Sequence, residues 1–337
     1  MRTRVLLAVL LAAGFSAGAS ASAPPPVRAA QSAGLGIRLL DAPVDRKDDP
    51  RARTYIVDHL KPGTTIRRRV QLSDNTNGPL HASIYVGGAR IDGGTFNPTD
   101  KGDPAELSDW STAAPGSVDL HAGGTSDVQV TIAVPASASA GERYGVIWAE
   151  LPASNGSGIK EVNRVGVRIY LSVGSGGEPA SDFTVDSLQG SRRADGVALV
   201  LAQVHNTGGR ALDMSGTLSL TNGPAGLSAG PFPATLGTSL KPGQTEPVTI
   251  VLGKAITGGP WTATLDVRSG VLRRKAQAQI SFPDKAGTTA PPVAAKNLPL
   301  YKDKGILVPI AVSFIGLLFL ILLVLALREY LRRQRAA

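Results

Sequence analysis

The sequence contains no cysteine among its 337 residues. A chain without thiols forms no disulfide, performs no thiol chemistry and offers no cysteine ligand to a metal, so its stability must come from the burial of apolar surface. Aromatic residues are also scarce, at 5% of the chain, which makes the few tryptophans and tyrosines worth locating. Two catalytic signatures are missing as well, because neither HExxH nor GxSxG occurs.

Other routes to catalysis or metal binding find little support. The four histidines lie in separate segments, and none stands beside a serine elbow. Carboxylates are frequent from residue 100 to residue 109, but no sequence rule pairs them across a sugar as a glycosidase requires. Their spacing also departs from the calcium loop of an EF-hand, so ordinary solvated turn residues are preferred over a calcium site. We therefore predict a protein that is not an enzyme, with no catalytic residue, no cofactor and no metal. The carboxylates considered for calcium are Asp100, Asp103, Glu106 and Asp109.

The longest apolar run, from Gly305 to Leu327, contains no charged residue. As a helix it would extend about 35 Å, slightly more than the roughly 30 Å hydrocarbon core of a bilayer. Four arginines follow within residues 328–337, which predicts a basic cytoplasmic tail. The alternative, a buried helix of a soluble protein, would show polar breaks and an amphipathic stripe. The run therefore predicts a transmembrane helix at 305–327.

The N-terminus agrees with this topology. Arg2 and Arg4 precede an apolar run, and the small residues Ala19-Ser20-Ala21 follow it. This order is typical of a secretory signal peptide, here residues 1–21, whereas an uncleaved anchor would need a longer apolar run. The two ends together predict a single-pass protein of the cell membrane, with an extracellular N-terminus and a cytoplasmic C-terminus. Part of the net charge of +9 belongs to these topological arginines, and extracellular placement argues against nucleic acid as a partner.

Between the two ends, short segments alternate apolar and polar residues with a period of two and are separated by glycine and proline turns. No helical period interrupts them, which predicts an all-β fold with two β-sandwich domains. A long irregular loop at 87–117 is expected to be functional or mobile. The predicted segments are a mobile segment at 22–34, a first sandwich at 35–173, a linker at 174–181, a second sandwich at 182–283 and a stalk at 284–304.

An ordered series of features within residues 36–173 points to a known family. These are an opening strand at 36–40, the turn Lys61-Pro62-Gly63, a stretch at 82–97 with a Gly-Gly-Thr-Phe turn, and Val134-Pro135 leading to residues 141–146. In this order of features the segment, about two fifths of the chain, resembles the peptidoglycan-binding domain of the WxL-interacting cell-surface proteins of Gram-positive bacteria. The resemblance implies an immunoglobulin-like fold and contact with wall peptidoglycan. The chain has no Trp-x-Leu motif of its own, so any such partner would be another protein.

Five residues are candidates for contact with the wall or a partner. Trp110 lies in the long loop and is the aromatic residue most expected to be exposed. Tyr144 and Trp148 share one face of a predicted strand and form either part of the core or a stacking platform for sugar rings. Arg67 and Arg69 share a strand face that is either simply solvated or meets phosphates and carboxylates.

We therefore predict a non-enzymatic, membrane-anchored cell-surface protein that binds peptidoglycan or the cell wall. The alternative is a surface adhesion or accessory protein that binds another protein.

Overall fold

The computed structural model describes residues 34–43, 46–152, 154–155, 160–235 and 237–298. These residues form two β-sandwiches that belong to one compact unit of the chain, which begins at Ser32. The all-β prediction with two sandwiches is confirmed. The predicted signal peptide at 1–21, the apolar run at 305–327 and the basic tail at 328–337 lie outside the described residues, as does the segment at 22–34 except for its last residue.

The first sandwich consists of two sheets. Sheet A has the strand order β1-β3-β8-β6, and sheet B has the order β2-β12-β9-β4-β5 with β7 also paired to β4. Within the described residues its elements are β1 (Leu35–Leu39), α1 (Pro50–Thr54), β2 (Ile56–Leu60), β3 (Thr65–Asp74), β4 (Leu80–Asp92), β5 (Thr95–Pro98), α2 (Glu106–Asp109), β6 (Ser111–Ala114), β7 (Ser117–Leu120), β8 (Thr125–Ala133), β9 (Gly141–Glu150), β10 (Ser154–Asn155), β11 (Lys160–Glu161) and β12 (Arg164–Val173).

Strand β3 illustrates how the sequence pattern forms this sandwich. Val70 and Leu72 face the opposite sheet and are fully buried, while Arg67 and Arg69 face solvent. The inward residues of both sheets form one core, which gives each buried aliphatic side chain about 1.5–3 kcal/mol of stabilisation. Burial of this kind stabilises the chain without disulfides.

The second sandwich also has two sheets. Sheet C has the order β19-β14-β13-β22 with β23 beside β13, and sheet D has the order β17-β16-β20-β21-β24. Strands β15 and β18 pair as a separate ribbon. Its described strands are β13 (Phe183–Arg192), β14 (Ala198–Asn206), β15 (Leu212–Asp213), β16 (Ser215–Thr221), β17 (Ala229–Pro233), β18 (Ser239–Leu240), β19 (Thr245–Gly253), β20 (Trp261–Ser269), β21 (Leu272–Ile280), β22 (Thr288–Thr289), β23 (Val293–Ala294) and β24 (Lys296–Leu298), with a 3-10 turn at Pro224–Gly226.

The segment at 87–117, predicted as an irregular loop, is largely structured. Strand β4 continues to Asp92, and the chain reverses at Gly93 and Gly94. Both glycines have a positive φ, 55° and 70°, which only glycine adopts without strain. Strands β5, β6 and β7 and helix α2 follow within the same segment. The prediction was wrong because the turn glycines form a tight hairpin rather than part of a long irregular loop.

The predicted stalk at 284–304 also differs in part. Residues 288–298 contribute three short strands to the second sandwich. The side chain of Asn297 donates to the carbonyl of Val185 at 3.0 Å and accepts from the N–H of Val185 at 3.3 Å, which ties this segment to β13. The domain boundaries themselves stay predictions.

The membrane localisation needs correction. No helix among the described residues is long and apolar enough to cross a bilayer. The apolar run that carried the prediction, 305–327, lies outside those residues. The structure therefore does not support a single-pass protein of the cell membrane.

Candidate functional site

The two sandwiches meet where the outer face of sheet B contacts a loop and a hairpin of the second sandwich. The turn between β4 and β5 forms one part of this joint, since the N–H of Ser239 donates to the carbonyl of Gly94 at 2.8 Å. Thr95 also forms a β-bridge with Thr238. Backbone pairing across two sandwiches fixes their register at this point.

Asp213 in β15 is the centre of a buried polar cluster at the joint. Its Oδ1 accepts hydrogen bonds from the Tyr170 hydroxyl at 2.5 Å and from Ser239 Oγ at 2.7 Å. Its Oδ2 accepts from Arg51 Nε at 2.6 Å, and Arg168 Nη1 lies 3.4 Å from Oδ1. One carboxylate of the second sandwich therefore holds three side chains of the first.

Aromatic rings surround this cluster. The Tyr170 ring lies 5.3 Å from the ring of Phe96 and 6.0 Å from that of Tyr144, measured between centroids. The Arg51 guanidinium stacks over Tyr170 at 4.2 Å, and that of Arg168 lies 4.5 Å from the Phe96 centroid. Such desolvated contacts between cations and rings are worth about 2 kcal/mol each.

The surroundings fix the charge states of the cluster. Burial alone would raise the pKa of Asp213, but the charge of Arg51 and the hydrogen bonds from Ser239 and Tyr170 outweigh it and hold this pKa below its usual value. Burial raises the pKa of the Tyr170 hydroxyl, and the negative charge of Asp213 raises it further. Asp213 is therefore an anion that accepts a hydrogen bond from a neutral tyrosine over the physiological pH range.

Arg210 forms a second buried cluster beside the first. Its Nε lies 2.8 Å from Glu142 Oε1, and its Nη2 donates to the carbonyl of Asp58 at 3.1 Å. Arg210 Nη1 also pairs with Glu178, and Glu142 Oε2 accepts from the N–H of Ala211 at 2.9 Å. With its side chain only 2% exposed, Arg210 joins the linker, β9 and the second sandwich.

A cleft of about 450 Å³ opens beside these clusters. Charged side chains and apolar ones line it together. They include Arg46, Asp49, Arg51, Glu178, Pro179, Arg210, Leu212, Val271 and Leu272.

Arg51 offers an unused donor at this cleft. Its side chain is only 8% exposed, and its Nη2 is buried without a hydrogen-bond partner among the described residues. The other buried polar atoms without a hydrogen-bond partner in the described part of the chain belong to Asp58, Arg68, Asp74, Glu142 and Arg210. Of these residues only Arg210 lines the cleft, and its Nε lies 2.8 Å from Glu142 Oε1. A buried donor without an acceptor costs about 1–3 kcal/mol.

The aromatic candidates from the sequence occupy packed positions. Trp110 is half-buried against the first core, directly after α2, with the Arg143 guanidinium 5.7 Å from its ring. Trp148 lies against Gly166 of β12, where an added Cβ would come within 2.9 Å of the indole, and the Arg164 guanidinium stacks on its ring at 4.4 Å.

The structure brings Tyr144 and Trp148 together in the outer-face cluster of sheet B, and Tyr144 also contacts Tyr170. Arg67 and Arg69 lie apart from them, on the outer face of sheet A. Arg69 pairs with Asp41 at 2.8 Å. Contact of these five residues with a partner stays a prediction.

Sequence reasoning missed Arg51, Arg210 and Asp213. Arg51 and Asp213 are separated by 162 positions, so no local pattern relates them. The one available signal was the presence of Arg168 and Tyr170 within β12, a mostly apolar strand next to the linker.

No family model matches the chain. No curated protein matches it either. Among solved structures, it is similar to the Salmonella enterica SafA pilin in complex with the SafB chaperone, at 12% identity, covering 80% of this chain and 99% of that one with a TM-score of 0.37. The YadV chaperone is 13% identical to this chain, and the match covers 73% of this chain and 99% of that one with a TM-score of 0.37. The chain is also similar to the CsuC-CsuE chaperone and tip adhesion subunit complex of Acinetobacter baumannii. The identity is 13%, the match covers 68% of this chain and 97% of that one, and the TM-score is 0.36.

These findings correct the predicted family and function. The three solved structures named above are a chaperone and two complexes of a chaperone with a pilin or a tip adhesion subunit, and none of the comparisons supports membership of the WxL-interacting proteins. The predictions of peptidoglycan as a partner and of a membrane-anchored wall-binding protein are contradicted with it. The order of turns and strand ends that suggested the family is common to many β-sandwiches, so it did not discriminate.

Proposed function

We propose that the chain is a non-enzymatic protein-binding module, and that the cleft between its two sandwiches receives an acidic group of a partner protein. The single observation that carries the proposal is Arg51, which lines an open cleft and whose buried Nη2 has no hydrogen-bond partner within the described residues.

A carboxylate is the group that best fits this donor. Arg51 already uses its Nε for Asp213 and its planar face for Tyr170, so its geometry is fixed before any partner arrives. A pre-organised guanidinium loses little conformational entropy on binding, and a charge-assisted hydrogen bond is roughly twice as strong as a neutral one. An acidic side chain of a partner would complete the hydrogen bonding of Arg51.

The joint supports the same function. The Asp213 and Arg210 clusters hold both walls of the cleft in one arrangement, because each cluster contains residues of both sandwiches. A rigid, pre-formed cleft gains affinity by avoiding the entropy cost of ordering on binding.

The test is a selection of short random peptides on the purified full chain. Enriched peptides should carry Asp or Glu at one position, and this enrichment should disappear on the Arg51→Lys variant. Lysine keeps the positive charge beside Asp213 but lacks the planar fork of donors. Arg53→Lys is the matched control, since Arg53 lies on the same helix, is exposed and does not line the cleft. An identical enriched set on wild type and Arg51→Lys would refute the proposal.

A further inference from the structure

Val271 is an apolar side chain at an unusual place. It is 69% exposed, more than any other large hydrophobic residue in the described part of the chain, and it lies at the tip of the β20–β21 hairpin. A single exposed valine needs no explanation by itself. Val271 differs from the other exposed hydrophobic residues because it lines the cleft that Arg51 also lines.

The hairpin tip is held firmly at that position. Ser269 Oγ accepts a hydrogen bond from the N–H of Asp213 at 3.1 Å, which links the tip to the buried cluster. Gly270 has a φ of +58° and lies so close to Asp49 that an added Cβ would come within 2.4 Å of Oδ1. Asp49 Oδ1 in turn accepts from the N–H of Arg51 at 2.9 Å. These contacts hold Val271 in a defined position relative to Arg51.

Apolar neighbours extend the surface that Val271 offers. Leu272 is half-buried and Pro179 is exposed, and both line the same cleft. Leu212 forms a buried part of the lining. The lining of the cleft thus combines these apolar side chains with charged side chains of both signs, Arg51 among them.

We infer that the partner segment carries an apolar side chain next to its acidic group, and that Val271 and Leu272 select for that side chain. The inference rests on the proposed binding of an acidic group at Arg51. Its occupant is a protein segment in which a carboxylate and a branched or aromatic side chain are close neighbours. The apolar rim determines which acidic segments bind, and Arg51 determines that an acidic group is needed.

The test uses two synthetic peptides from the selection described above, one with an apolar residue beside the acidic one and one with serine at that position. The full chain should bind the apolar peptide about 5- to 10-fold more tightly, the effect expected for burying a few methyl or methylene groups. Val271→Ala should reduce this preference, and Val271→Asp should weaken binding of both peptides because it adds a negative charge beside their carboxylates. Leu227→Asp is the matched control, since Leu227 is 52% exposed in the same sandwich and does not line the cleft.

The outcomes separate the two proposals. An acidic requirement that depends on Arg51, together with equal affinity for the apolar and serine peptides, would overturn the inference about Val271 and leave the proposed function standing. Loss of the acidic requirement would overturn both. A preference for the apolar peptide that falls in Val271→Ala and is unchanged in Leu227→Asp would support the inference.

Discussion

Two arginine-rich regions of the molecule use the same side chain in different ways. At the joint, Arg51 and Arg210 are almost fully buried, and each contacts a carboxylate and the opposite sandwich. On the outer face of sheet A, Arg67 and Arg69 are exposed to water. Removing the partner of a buried charge is costly, whereas an exposed pair is weakened by solvent screening and by side-chain entropy. The position of an arginine in the fold therefore decides its energetic role.

The largest effect should come from Asp213→Ala. This change leaves Arg51 and Arg168 without their carboxylate and the hydroxyls of Tyr170 and Ser239 without an acceptor. Breaking such a buried network should lower the free energy of unfolding by about 3–5 kcal/mol, measured by urea denaturation followed by circular dichroism. Asp195→Ala is the control, because both side chains of the Arg193–Asp195 pair are 50% exposed. Similar midpoints for both variants would show that burial does not set the energetic role of these ion pairs.

Trp148→Ala should have the next largest effect. The indole is half-buried on the outer face of sheet B. Its removal should therefore lower the free energy of unfolding by less than the roughly 3–5 kcal/mol typical of a fully buried aromatic residue. A decrease of about 2 kcal/mol is expected, measured by urea denaturation.

Trp110→Ala is expected to lower the free energy of unfolding as well, since Trp110 packs partly against the first core. If the urea midpoint of Trp110→Ala equalled that of wild type, the contact of Trp110 with the core would contribute nothing to stability.

A pH titration sharpens the comparison further. Because the folded pKa of Asp213 is depressed, its stabilising contribution is fully present above the unfolded value of about 3.9 and is lost as the pH falls through the folded pKa. The difference in urea midpoint between wild type and Asp213→Asn should therefore narrow as the pH falls below about 4. A gap that stays constant over this range would show that the Asp213 charge does not contribute.

Much of the fold followed from local sequence patterns. Alternation in β3 places Val70 inward and Arg69 outward, and the structure has this arrangement. The segment at 87–117 contains several short elements and few long apolar runs, so its local pattern predicts a loop. Residues 288–298 are rich in proline and alanine, a composition that predicts a stalk, yet pairing with β13 and β21 makes parts of this segment strands. Tertiary pairing of this kind leaves little trace in local composition.

The candidate site could not be found from the sequence for a different reason. Its residues come from α1, β12, the linker and β15, and only the folded chain brings them together. Sequence reasoning selected Arg67 and Arg69 because adjacent arginines are visible in a local pattern. Isolated charged residues such as Arg51 and Asp213 show no such pattern, although burial makes them the stronger interactions.

The smallest effect should come from Arg69→Ala. Arg69 pairs with Asp41 at 2.8 Å, but its side chain is 56% exposed, so water and salt screen the interaction. We expect a urea midpoint close to that of wild type, with any difference disappearing at high salt. Arg67→Ala is the matched control on the same strand face, since no ion pair reaches Arg67 from the described part of the chain. If Arg69→Ala destabilised the protein as strongly as Asp213→Ala, exposure would not determine the energetic role of these arginines, and the contrast between the two regions would fail.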